Sequence, residues 1–209
     1  MNLEFLLQAS IHRADLEIVD SHFGSIGITD LTGMLHLKSA LVTLANFCDF
    51  ELTARPTYKE HPEPSAIIKP LRKNIEFSKY LRNKFVGHIH PDLIAKAIEW
   101  QPFLRHAATD LNDPKVMAMV NLWILETAIN TYVEADGTHK VFSSETDLMY
   151  PPDWSRFLDF LETTVRGGIN YLKTLQAVWG PKILPTLQSP FDLELAMKAG
   201  RTEFKFLAH

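Results

Sequence analysis

Arg82 and His88 are separated by five residues, with Asn83 directly after the arginine, in the run Leu81-Arg82-Asn83-Lys84-Phe85-Val86-Gly87-His88. A guanidinium keeps its charge at any accessible pH and grips phosphate oxygens through paired donors. An imidazole, with an unperturbed pKa of about 6.5, accepts and returns protons near neutrality. Together these groups suit RNA cleavage, in which the 2′-hydroxyl is already in place as an internal nucleophile. The histidine would move its proton, and the arginine would stabilise the charge developing on the phosphorane. Asn83 would orient either the histidine or the phosphate. Lys69, Arg72, Lys73, Lys79 and Lys84 lie close by in sequence as cations that would guide the backbone.

Other combinations are weaker. Arg55 and His61 have the same spacing, but Arg55 precedes Pro56 in a proline-rich segment. His88-Ile89-His90-Pro91-Asp92 offers imidazoles and a carboxylate at H-x-H-x-D spacing, which resembles part of the metallo-β-lactamase zinc motif. There the next residue is Leu93 rather than a histidine, and the strand-rich sandwich that motif needs is missing, so no metal site is assigned. No Gly-rich phosphate loop or G-x-S-x-G elbow is present. Each favoured residue also has an ordinary structural use. A buried arginine can pair with an acid of another helix, His88 can bond the carbonyls of a helix end, and a lysine run can be a solvated face.

The elements that would position these residues read as helical. Apolar residues Leu3, Leu6, Ile11, Ile18 and Val19 mark a helix over residues 2–20. Thr29 and Asp30 can cap a second, reaching about residue 54, with Leu31, Leu35, Leu37, Leu41, Val42, Leu44, Phe47 and Phe50 as its core side. The three prolines of residues 55–64 predict an extended connection. A third helix over about 65–85 ends at Gly87, and Pro91 opens a short fourth. Asn112-Asp113-Pro114 starts a helix to about 134, and Pro152-Asp153 another toward 179, bent at Gly167-Gly168. The proline-bearing tail from Gly180 holds one short helix. No internal repeat or alternating strand is seen.

On a wheel with Leu71 at zero, Ile67, Ile68, Ile75, Phe85 and Val86 fall within about 60°, and Arg82 falls at about 20°, near the middle of the apolar stripe. A charge there demands an anion, carbonyls or a wet crevice.

The arginine, the asparagine and the histidine resemble the R-x4-6-H motif of the HEPN superfamily. The resemblance implies an all-α, HEPN-like helical bundle with additional C-terminal helices. Residues 1–135 would form the HEPN-like core and 141–209 a C-terminal helical extension of one domain. It also implies a metal-independent endoribonuclease of toxin or abortive-infection type, with Arg82, His88 and Asn83 as catalytic residues and no cofactor. Such proteins pair their motifs across a two-fold interface, so a homodimer through the helix carrying Arg82 is expected. A nucleotidyltransferase-like antitoxin is a possible partner by the same resemblance. The alternative is a non-catalytic helical module that binds RNA or a protein through the same groove.

Composition sets the frame. The 209 residues are 46% hydrophobic and 22% charged, as in an ordinary globular protein. Net charge is −4, yet residues 69–84 hold six cations against Glu76, a +5 island, so the remainder carries −9. Cys48 is the only cysteine, which excludes an intramolecular disulfide and any multi-thiolate metal site. No apolar run approaches a membrane span or an export signal, so a cytoplasmic protein is expected.

Overall fold

The computed structural model describes residues 3–25, 30–184 and 193–201. These form an all-α fold: α1 Leu3–Ser21, α2 Leu31–Ala54, α3 Glu63–Ile68, α4 Arg72–Leu81, α5 Pro91–Trp100, α6 Leu104–Ala107, α7 Pro114–Asn130, α8 Pro151–Ile183 and α9 Leu193–Gly200. Among the described residues no strand forms beyond one bridge between Val133 and His139. No helix among them is long and apolar enough to cross a membrane.

The helix starts follow from local chemistry. Asp30 caps α2 by accepting a 2.8 Å hydrogen bond from the Gly33 amide, and Asp113 caps α7 by accepting one of 2.7 Å from Lys115. Pro91, Pro114 and Pro151 sit in first turns, where a missing N–H costs nothing. The same reason overturns the extended connection expected after α2. Pro56 starts a 3₁₀ turn, Arg55–Lys59, in which the Thr57 hydroxyl donates to the Ala54 carbonyl at 2.7 Å.

One contiguous apolar core takes side chains from α1, α2, α4, α7 and α8. α8 lies within that core, packed chiefly along α1 and also on α3, so the boundary expected near residues 135–141 falls in a loop. α8 runs unbroken through Gly167 and Gly168. They let neighbouring helices approach: a Cβ on Gly167 would overlap Leu71 Cδ1, and one on Gly168 would stand 3.0 Å from Leu16 Cδ1 and 3.1 Å from Phe47 Cε1. The inward faces of the first two helices also differ from expectation. α1 buries Phe5, Leu6, Ala9, Leu16 and Val19 and exposes Leu3, Ile11 and Ile18, while α2 exposes Leu31, Leu35 and Val42. The Leu and Ile residues of α1 stand on two opposing sides, and apolarity alone did not say which faced inward. The expectations for residues 26–29 and for most of the tail after residue 184 lie outside the described residues.

Candidate functional site

The third helix of the sequence is broken into pieces, and the breaks decide where Arg82 points. Pro70 has no N–H to give, so α3 stops at Ile68 and a 3₁₀ turn, Lys69–Leu71, winds more tightly before α4 begins. After α4 a single π turn, Arg82–Val86, is closed by the Gly87 amide donating to the Arg82 carbonyl at 2.7 Å. Gly87 has φ −71° and is not the left-handed helix stop that its position suggested. A wheel centred on what α4 buries (Ile75, Phe77, Ser78 and Leu81) puts Arg82 about 70° from the middle, at the margin. A wheel anchored on Leu71 fails because it runs through the change of pitch at Pro70. Arg82 is accordingly half-buried, whereas Leu81 and Phe85 on either side are fully buried.

The anion facing Arg82 is Asp49 of α2. The Arg82 Nη2 stands 3.7 Å from Asp49 Oδ2, while Lys79 holds the other oxygen, Oδ1, in a direct hydrogen bond that raises the lysine's pKa. One carboxylate thus serves two cations, and the cluster keeps an excess positive charge. The Arg82 side chain makes no hydrogen bond among the described residues, and its buried Nε has no acceptor there. This half-fits the ordinary reading of an interhelical ion pair, but the guanidinium is loosely held.

Asn83 and His88 are both exposed, and their side chains make no hydrogen bond among the described residues. His88 lies just past the π turn, so its backbone is fixed by the Gly87 closure while its ring is not. His90 has a structural task, its Nδ1 accepting from the Asp92 amide at 3.4 Å to cap α5. Among the described residues no group of three or more His, Cys, Asp or Glu is arranged to hold a metal.

The basic island divides in two. Lys69, Lys73 and Lys84 are exposed, with Lys84 Nζ 5.9 Å from the centre of the Tyr80 ring. Arg72 and Lys79 are engaged by acids of α2. Arg72 reaches Glu51, a fully buried carboxylate. Glu51 also receives Arg55 at 2.9 Å and the Tyr58 hydroxyl at 3.0 Å, and Tyr58 in turn accepts from Tyr171 of α8 at 2.8 Å. Burial raises the pKa of both tyrosines, so they remain hydroxyl donors. This network ties α2, α4 and α8 together and accounts for Arg55. His61 accepts from Lys182 Nζ at 2.7 Å and packs edge-on to Trp179. The second arginine–histidine match is therefore built into the scaffold.

Asp49 and Glu51 are the site residues that the sequence left unnamed. The signal was present: on the α2 wheel Glu51 falls about 20° from the centre of the buried arc, a carboxylate in a place that requires cations. No protein-family model, curated protein or solved structure matches this chain.

Proposed function

We propose that this chain is a metal-independent endoribonuclease that works as a homodimer, with Arg82 receiving the scissile phosphate. The observation that supports it is the state of Arg82. Among the described residues the one acid paired with it stands 3.7 Å away and is held more closely by Lys79, and its Nε has no acceptor. A phosphate oxygen would satisfy those donors. The π turn that begins at Arg82 is a further support, since such turns recur at functional sites. Exposed Lys69, Lys73 and Lys84 would attract the backbone.

In the reaction the 2′-oxygen attacks phosphorus, its proton passes to His88, and the 2′-O–P bond forms as the P–O5′ bond breaks. The leaving 5′-oxygen takes a proton from the His88 of a second copy. Arg82 stabilises the phosphorane charge, and Asn83 orients the phosphate. Two facing copies supply a proton acceptor and a proton donor that one copy lacks. The HEPN resemblance extends the proposal to a cytoplasmic toxin or antiviral effector restrained by a nucleotidyltransferase-like antitoxin.

A second reading, RNA binding without catalysis, is favoured by His88 itself, whose ring is oriented by no hydrogen bond among the described residues. Both are tested by incubating the protein with single-stranded RNA and an all-deoxy control in excess EDTA. Cleavage of the RNA alone, leaving 2′,3′-cyclic phosphate ends and abolished in Arg82→Ala and His88→Ala, supports the nuclease. Binding that survives His88→Ala without any cleavage supports the module. Light scattering should give about twice the 23.8 kDa chain mass.

A further inference from the structure

A cleft of about 780 Å³ opens where the end of α5, the end of α7, the loop 131–150 and the start of α8 meet. It shares no residue with the Arg82–His88 segment. Its lining includes the carboxylates of Glu126, Glu145, Asp147 and Asp153 and the rings of Trp100 and Phe142, and no lysine or arginine lines it.

The cleft is a built feature. The loop between α7 and α8 has no regular structure of its own, yet its polar groups are satisfied from the helices on both sides. Asn130 both donates to the Thr146 carbonyl at 2.8 Å and accepts from the Thr146 amide at 2.9 Å. His139 Nδ1 accepts from the amides of Val141 and Phe142, while its Nε2–H donates to the Ile129 carbonyl. Arg156 of α8 binds Ser144, Glu145 and Thr146. Gly137, at φ +86°, makes the tight turn between Val133 and His139. Long ordered loops without secondary structure are most often functional.

On the wall of this cleft Glu126 is more than nine-tenths buried and has no cation within ion-pair distance among the described residues. A carboxylate has about four acceptor positions, and the protein fills two of Glu126's, with Gln101 Nε2 at 3.0 Å and the Leu148 amide at 2.8 Å. Burial raises its pKa, against the pull of those two bonds, because no cation beside it offsets the loss of water. The aromatic walls already take cations from the protein: Lys96 sits 5.2 Å from the Trp100 ring centre and Arg156 5.1 Å from that of Phe142. Asp153 is neutralised by Arg156 at 3.0 Å, whereas Glu126, Glu145 and Asp147 make no ion pair among the described residues.

We propose that this cleft binds a small organic cation, an amidinium, guanidinium or primary ammonium carried on a flat apolar body, with the charge at Glu126 and Glu145 and the body against Trp100. Acids alone would also suit a metal ion, but the described residues hold no cluster with ligand geometry, and two aromatic walls are wasted on one. The volume is that of a small-molecule site.

Isothermal titration of the full chain with benzamidine, and with its uncharged isostere benzamide, tests the proposal. Benzamidine should bind, with benzamide at least tenfold weaker. Glu145→Gln and Trp100→Ala, both at exposed positions, should each weaken benzamidine at least fivefold while leaving the melting temperature in place. Glu126→Gln should weaken it more, in protein shown by circular dichroism to be folded. N-acetyl-argininamide, as a stand-in for a basic side chain of a protein, distinguishes a free metabolite from a partner's arginine as the source. Equal affinity for benzamide, no binding of any of the three probes, or binding unaffected by Glu145→Gln and Trp100→Ala would overturn the assignment. Because the readout is binding, a failure of the nuclease proposal leaves it untouched.

Discussion

Arg82 and Arg72 are both arginines of the basic island, and the structure gives them opposite fates on truncation. The Arg82–Asp49 pair is long at 3.7 Å, with Arg82 half-buried and Asp49 exposed, 29% and 48% at the side chain. An ion pair of that kind contributes about 0–1 kcal/mol, and Asp49 keeps Lys79 after the change. Arg82→Ala should therefore lower stability by less than about 1 kcal/mol, which in a domain of this size is a melting shift of at most about 4 °C. Arg72 instead serves Glu51, whose side chain is wholly buried. Stripping a buried charge of all its partners costs about 3–5 kcal/mol, and since Arg55 and Tyr58 remain on Glu51, Arg72→Ala should cost about 1–3 kcal/mol. In cleavage the order reverses. Loss of a donor that stabilises transition-state charge costs roughly a hundred- to a thousandfold in rate, so Arg82→Ala should be inactive, while Arg72→Ala, measured below its melting point, should keep most of its activity. Urea unfolding and a fluorogenic RNA in EDTA give the two readouts. If Arg82→Ala loses as much stability as Arg72→Ala, the arginine is a strut of the bundle. If it is stable and still cuts at the wild-type rate, phosphate is not its ligand.

Gly167→Ala should destabilise by about 1–3 kcal/mol despite the better helix propensity of alanine, because its Cβ overlaps Leu71 Cδ1; in a Leu71→Ala background the same change should cost nothing, and a double-mutant cycle by denaturant unfolding measures the coupling. His139 has its pKa lowered by burial, and its Nδ1 already accepts from two amides, so the fold resists its protonation. The unfolded chain then binds the extra proton first: the stability from His139 is complete above about pH 6.5 and is lost as pH falls below it. Melting curves between pH 7.5 and 5.5 should show a decline that is shallower in His139→Gln. Burial pushes the Cys48 thiol up to about 11, so at pH 8 a disulfide reagent should react slowly with native protein and rapidly in urea; equal rates would mean that α2 is open at that position.

The helices were legible because they rest on short-range chemistry. Asp30 and Asp113 cap what they were expected to cap, and Pro91 and Pro114 stand where a first turn tolerates them. So were the segment bearing Arg82, Asn83 and His88 and the lysines Lys69, Lys73 and Lys84, since residue types and spacing are properties of the chain. Orientation was not legible. Pro70 and the π turn at Arg82 change the pitch on either side of α4, and a constant angle per residue carried that error from Leu71 to Arg82. Partners were not legible either. Asp49 and Glu51 precede Arg72, Lys79 and Arg82 by more than twenty residues, and only the packing of α2 against α4 shows that one is shared between two cations and the other is buried among three donors. The same holds for Gly167, whose close approach to Leu71 depends on how the helices pack. Nor does any local pattern show that Asn130, His139 and Arg156 hold the loop after α7 as one wall of a cleft. Local sequence determined where helices begin and which groups could do chemistry; which of those groups are already occupied was decided by contacts between residues far apart in the chain, which exist only once the helices have packed.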